Sequence, residues 1–461
     1  MPLKKKELAE LFIEKAAFGA LGVARVEGMA VFVEGAVPGD RVMARVLKKK
    51  KSWARARAEE ILSPSPDRIA PPCPYSGWCG GCKWQHLAYP RQVEYKAAQV
   101  VESLTHLGGL SGFEVLPPIP APEIYGYRNK MEFTCTCRRW LLPHEMGEGG
   151  PPMDFALGLH VPGTFDKVLD VTSCLLQTDD ANRILARCRE LIVESGLPGY
   201  GLRHHEGFWR FVVIRRSVAE DNYLVNFVTS RDERELLARM AQRLMEDPKV
   251  AGVVMNVSAK KSAVAIGDYE IPLAGSPTLT DRIGSRRFTV SANSFFQTNT
   301  LQAGRLYGAV SEFAALTGSE RVLDLYSGTG TIPIWLSEGA KEVVGVELVE
   351  SAVKDAVKNC VENGVENCRF LLGDIREVLP ALGFTPDVLV LDPPRSGMHP
   401  DVVAAINRLG APRVVCVSCN PTTCARDLGL MKDTYRVTRV QPLDMFPHTH
   451  HVEMVALLEK R

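Results

Sequence analysis

From residue 318 onward, short apolar runs and helical stretches alternate with little else between them. The runs at 321–327, 342–348, 368–372, 387–392 and 413–418 are the length and composition of buried strands. Between them, 332–338, 350–363, 400–409 and 422–432 carry helical spacing. This alternation predicts a parallel, doubly wound sheet. The last two strands, roughly 435–443 and 452–459, follow each other without a helix and predict an antiparallel edge. Residues 10–62 have a different rhythm. Period-two alternation in Ala30–Glu34 and Arg41–Leu47, with turns at Gly19–Gly22, Glu27-Gly28 and Pro38-Gly39-Asp40, predicts a small OB-like β-barrel. Ser63-Pro64-Ser65-Pro66 reads as a linker. The middle of the chain mixes helical stretches (Glu94–Leu107, Thr178–Ser195, Arg231–Met245) with strand-like ones (Phe208–Arg215, Asn222–Thr229, Val250–Val257). It predicts an α+β insert whose topology the pattern does not fix, with a mobile loop at Gly147–Pro152.

At 461 residues the chain exceeds one ordinary core, so two or three domains are expected. A composition of 46% apolar and 24% charged residues is that of a soluble globular protein. No apolar run approaches the roughly 18 residues a membrane span needs. Glu7, Glu10, Glu14 and Lys15 interrupt any signal-peptide core, so a cytoplasmic protein is expected. Net charge is only +1, but residues 1–62 hold 13 Lys/Arg against 8 Asp/Glu. Lys48–Lys51, followed by Trp53, Arg55 and Arg57, suits tracking a phosphate backbone and stacking a base. A lysine-guarded hairpin edge would look the same.

Candidate chemistry sits at the predicted strand ends. Cys419, in Val417-Ser418-Cys419-Asn420-Pro421, is placed just before a helix, where a thiol pKa is expected to fall and nucleophilicity to rise. It also fits a small buried residue, as Cys416 does. Asp324–Gly330 opens the first helix with glycines that let the backbone approach a ligand. Glu347, Asp374 and Asp392 end the next three strands. Four carboxylates at consecutive strand ends suit a sulfonium and an amine better than a pyrophosphate. Glu453 enters an otherwise apolar strand and is either solvent-facing or buried as a base. His448, His450 and His451 read as structural. Twelve cysteines with no secretory signal argue against a disulfide framework. Cys73-x5-Cys79-x2-Cys82, with Gly77, Gly80 and Gly81, suits part of a four-thiolate site for zinc or a [4Fe–4S] cluster. Spacing does not choose between them, and Cys135, Cys137, Cys174 and Cys188 compete for the fourth place.

Residues 291–461 resemble the RNA (uracil-5-)methyltransferase family. The matching stretches are Asn293–Asn299, Asp324–Gly330, Asp392–Gly397, Ser418–Pro421 with Ala425-Arg426-Asp427, and His448–Glu453. The resemblance implies that Gln297, Tyr326, Thr331, Glu347, Asp374 and Asp392 surround S-adenosylmethionine. It implies Cys419 as nucleophile and Glu453 as proton-abstracting base, with Phe295 and Arg128 shaping a pocket for a flipped-out base. Ser327 and Thr331 depart from the family's usual residues there. Residues 73–86 match the family's iron–sulfur branch, which makes Cys174 the fourth ligand of a [4Fe–4S] cluster and zinc less favoured. Gly19–Arg25, Val33–Pro38 and Gly39–Val46 resemble its TRAM domain. The expected organisation is a TRAM barrel at 1–62, an α+β domain with the cluster at 67–290, and a Rossmann-like methyltransferase domain at 291–461. Barrel and cluster together point to 23S ribosomal RNA, at the uridine equivalent to position 1939, rather than to transfer RNA. No obligate protein partner is implied. Rival readings are an RNA cytosine-5 methyltransferase, a small-molecule methyltransferase, and an iron–sulfur RNA-binding protein with an inactive catalytic domain.

Overall fold

The computed structural model describes residues 3–461. Six N-terminal strands (Leu8–Phe12, Lys15–Ala17, Leu21–Val26, Met29–Glu34, Arg41–Lys49, Trp53–Ser63) form one curled sheet. Arg41–Lys49 pairs with Leu8–Phe12 on one side and with Trp53–Ser63 on the other, with three register irregularities that bend the pair. The alternation seen in sequence turns Val31, Val33, Val42, Ala44, Val46, Ala54 and Ala56 into a closed small core. The segment after it is pinned rather than free. Buried Asp40 accepts from the Ser65 amide at 2.9 Å and from the Arg68 guanidinium at 2.6 Å, because the Ser-Pro run supplies no ladder partner of its own.

The middle of the chain builds an eight-stranded, mostly antiparallel sheet with Lys130–Thr136 and Trp209–Ser217 at its centre. Helices Asp179–Glu194 and Arg234–Leu244 pack their apolar stripes into its core. The last sheet orders its strands Cys368–Leu372, Glu342–Glu347, Arg321–Leu325, Val388–Leu391, Arg413–Ser418, Glu453–Lys460, Tyr435–Leu443, Glu114–Val115. The first five are parallel, and Glu453–Lys460 inserts antiparallel between Arg413–Ser418 and Tyr435–Leu443. That insertion places Glu453 beside the end of the strand that carries Ser418.

Chain order and spatial order part company at two places. Helix Tyr89–Glu102 and the strand Glu114–Val115 lie within 67–290 in sequence, yet Val100, Leu104 and Leu110 share the core of the last sheet with Cys416 and Leu428. The ribbon Thr278–Ile283 with Arg286–Ser291 likewise packs Ile283, Phe288 and Val290 against Phe313 and Val322 of that domain. An amphipathic pattern reports that a helix has an apolar face, not which sheet that face covers. Among the described residues no helix is long and apolar enough to cross a membrane.

Candidate active site

The carboxyl ends of the parallel strands converge on one cleft, the usual place for ligands in doubly wound sheets. Tyr326 (φ 69°) and Gly330 (φ 79°) fold the first strand-to-helix turn tightly; a Cβ at Gly330 would lie 2.9 Å from Phe370 and 3.0 Å from Ala356. Glu347 fastens this turn by accepting from the Gly328 amide at 2.9 Å, and it also accepts from Leu348 and Val349. Thr331 accepts from the Tyr307 hydroxyl at 2.9 Å. Asp374 caps its short helix and is held by Arg376, whose hydrogen bonds keep the carboxyl down at about 2. Gln297 sits in the loop before helix Thr300–Ala314, tied through its carbonyl to Asn129.

Two groups in this cleft have no partner among the described residues. Both oxygens of the buried Asp324 and the hydroxyl of Ser327 are unpaired. Buried polar groups are normally satisfied, so these mark where a ligand's donors belong. Burial, then the charges of Asp392 and Glu347, push Asp324 well above the usual carboxylate range. Burial alone pushes Asp392 up to about 6. The donor set of carboxylates therefore fits a cationic ligand with an amine. Asp324 was readable as the start of the glycine loop, but its isolation was not.

Cys419 follows the strand Arg413–Ser418, whose Ser418 pairs with Met454, so the thiol and Glu453 stand at the same end of the sheet, within reach of the Asp392 charge. Asn420 caps helix Pro421–Met431, accepting from Thr422, and its amide donates to the Arg395 carbonyl at 3.0 Å. Gly397 lets the Asp392–Gly397 loop close onto this helix: a Cβ there would strike Arg426 and Asp427. The expected low thiol pKa does not hold. Burial first, then Glu453 and Asp392, push Cys419 up to about 12, with Arg395 pulling the other way. A short helix dipole is outweighed by desolvation and two carboxylates. Glu453 is 6% exposed, and burial, then Asp392, hold its carboxyl well above the usual range. Desolvation and facing like charges thus disfavour the ionised form of both groups.

Phe295 and Arg128 line a cavity of about 600 Å³ shared with Lys130, Arg215 and His450, and the Phe295 carbonyl accepts from the Thr329 hydroxyl of the glycine loop at 3.4 Å. Phe295 is exposed, and Arg128 lies over the Phe446 ring at 5.4 Å. The same cavity is lined by Cys73, Cys79, Cys82 and Cys174, whereas Cys135, Cys137 and Cys188 do not reach it. Tyr75 holds the two cysteine segments together, its hydroxyl accepting from the Thr172 amide at 3.0 Å. Burial raises all four thiols, Cys79 to about 11 and Cys82 to about 12, and their mutual charge would oppose ionisation of any one. Among the described residues no three His, Cys, Asp or Glu side chains converge closely enough to hold a single ion.

The fold defines a methyltransferase. Residues 278–461 match the family described as tRNA (Uracil-5-)-methyltransferase. An uncharacterized RNA methyltransferase of Chlorobaculum tepidum is 42% identical over 94% of this chain and 92% of its own. One from Porphyromonas gingivalis is 41% identical over 94% and 96%. The crystal structure of the Pyrococcus abyssi tRNA (uracil-54, C5)-methyltransferase with S-adenosyl-L-homocysteine superposes with a TM-score of 0.75 at 30% identity, covering 98% of this chain and 100% of that one. The chain belongs to the RNA (uracil-5-)methyltransferase family and is an enzyme of that kind.

Proposed function

We propose that this enzyme transfers a methyl group from S-adenosylmethionine to carbon 5 of a uridine in 23S ribosomal RNA, the one equivalent to position 1939, in the cytoplasm. The observation that carries the chemistry is the strand register, which pairs Leu391 with Cys416 and Ser418 with Met454 and so brings Asp392, Cys419 and Glu453 to one end of the sheet. Gln297, Tyr326, Thr331, Glu347, Asp374 and Asp392 hold the cofactor, which supplies an electrophilic methyl group. Cys419 gives its proton to solvent and adds as thiolate to carbon 6 of the uracil, and the carbon 5–carbon 6 π pair moves onto carbon 5 and the carbon 4 carbonyl as an enolate, so that carbon 5 becomes electron-rich. Glu453 removes the carbon 5 proton after methylation, and the Cys419–carbon 6 bond breaks to restore the thiol. The base must leave its stack for either face to be reached; Phe295 and Arg128 shape that pocket.

The N-terminal sheet acts as a TRAM-type RNA-binding domain. A groove of about 1420 Å³ runs between it and the cysteine segment, lined by Trp53, Trp78, Trp140, Arg55, Lys83 and Lys167. Aromatic rings alternating with cations suit a single strand. Replacing either Trp53 or Trp78 by alanine is expected to weaken RNA binding by about 10- to 100-fold, at roughly 1–3 kcal/mol per lost stack. Cofactor affinity, measured by calorimetry, should stay unchanged; equal RNA affinity would rule the groove out. Cys73, Cys79, Cys82 and Cys174 hold a [4Fe–4S] cluster with a structural role. Protein purified without oxygen should contain about four iron and four sulfide per chain, both lost in Cys82→Ser; zinc instead would refute it.

A second reading, a transfer RNA uridine as target, is favoured by the Pyrococcus comparison, because that likeness covers the N-terminal sheet and cysteine segments too. Barrel and cysteines therefore do not by themselves choose ribosomal RNA. Mapping 5-methyluridine in both RNAs from cells with and without the gene decides: loss confined to 23S RNA supports the first reading, loss confined to transfer RNA the second. Methylation of cytidine would overturn both.

A further inference from the structure

The loop Asp444–Val452, which delivers Glu453, is held by side chains and backbone amides from outside the parallel sheet. Asn299 donates to the Met445 carbonyl at 2.9 Å, Tyr127 to Pro447 at 3.0 Å, and Gln302 to Asp444 at 3.0 Å. Gln92 accepts from the His448 amide at 2.9 Å and meets its ring nitrogen at 3.1 Å, while the Tyr125 ring stacks on that imidazole at 4.4 Å. The Lys83 and Trp84 amides, directly after Cys82, both donate to the His448 carbonyl at 2.9 Å. His448 itself adopts φ 65°, a conformation L residues resist, so these bonds have strain to oppose.

One contact in this set is chemically out of place. Lys96 comes from helix Tyr89–Glu102, sits at 1% exposure, and donates to Asp444 Oδ1 at 2.7 Å and to the Phe446 carbonyl at 3.0 Å. Asp444 is equally buried, and its Oδ2 has no partner among the described residues. A buried ion pair is seldom more stable than apolar residues of the same volume, so stability alone is a poor reason for it. Its geometry offers another reason. A single ammonium reaches both a side chain and a backbone carbonyl of the loop, fixing its path seven to nine residues before the base.

We propose that Lys96 is a positioning residue for proton abstraction, orienting Glu453 through Asp444 and Phe446 without touching substrate. This rests on the Cys419–Glu453 reading above. Lys96→Met alone would strand the Asp444 charge, so paired variants are the test. Lys96→Met with Asp444→Leu removes the charges, both Lys96 bonds and the 3.1 Å bond from the Phe446 amide to Asp444 Oδ1. Its melting temperature is expected to match the parent, while kcat falls about 100-fold and KM for RNA and for S-adenosylmethionine stay within about twofold, since small misplacement of a reacting group costs that much. Lys96→Gln with Asp444→Asn keeps one donor toward Phe446 and should fall about tenfold, a graded rescue that a merely structural role would not give. Capture of 5-fluorouridine RNA needs the thiol but no carbon 5 proton transfer, so both paired variants should form that adduct at the parent rate. Parental kcat in either folded variant overturns the proposal, and so does an equal loss in both. If the parent itself forms no adduct, it is the covalent reading that fails.

Discussion

Cys419→Ala is expected to lower methyl transfer by more than about 10⁴-fold, the scale seen when a covalent nucleophile is removed, and to abolish capture of 5-fluorouridine RNA. The physical reason is the electron demand of the reaction. Carbon 5 of uracil is a weak nucleophile, and only addition at carbon 6 gives it the density to accept a methyl group. The side chain is small and partly exposed in the cleft, so its loss opens little space and should leave melting and RNA affinity near parental. Cofactor and RNA binding then become separable from chemistry. Because burial and two carboxylates hold this thiol up at about 12, the free enzyme's kcat/KM should climb with pH across the neutral range, as the thiolate fraction grows. A flat profile between pH 6 and 9 would mean that another group limits the reaction. Turnover persisting in the alanine variant would remove the covalent mechanism altogether.

Glu453→Gln should separate methylation from release. The glutamine cannot take the carbon 5 proton, so turnover is expected to drop by about 10²–10⁴-fold, the range for a positioned base. Addition and methyl transfer do not need that proton removed. A protein–RNA adduct that survives denaturing electrophoresis should therefore accumulate on ordinary uridine RNA. The same substitution has a stability signature of opposite sign. The folded carboxyl titrates well above its unfolded value because it is buried and faces Asp392. Its favourable state is complete below the unfolded pKa, about 4.3, and is lost as pH rises toward the folded pKa. Glutamine does not titrate, so the variant should melt with the parent near pH 4 and a few degrees above it near pH 8. A base that is costly to bury is destabilising where it works. Equal melting at both pH values would place Glu453 in contact with solvent.

Much of the catalytic half was legible because doubly wound sheets write themselves plainly: buried parallel strands are continuous apolar runs, and their ends carry the polar chemistry. The predicted strands at 321–327, 342–348, 368–372, 387–392 and 413–418 correspond closely to those observed. Lys96 left a faint mark, a lysine in the apolar stripe between Val93 and Val100. A stripe with one long polar member usually means a snorkelling side chain at an interface edge, and nothing local announced Asp444 nearly 350 positions away. The pKa of Cys419 was read in the wrong direction, because helix position is a local property whereas desolvation and facing charges are not.

The sequence by itself determined the periodicities, the residues at each strand end and the kinds of chemistry they permit, since these depend on neighbours a few positions apart. Tertiary structure alone decided that Glu453–Lys460 inserts beside Arg413–Ser418, that helix Tyr89–Glu102 covers the catalytic sheet, and that four distant thiols line one cavity. Those outcomes turn on which apolar faces find each other and on which charges end up sharing a low-dielectric space, and both are fixed only when the whole chain has packed.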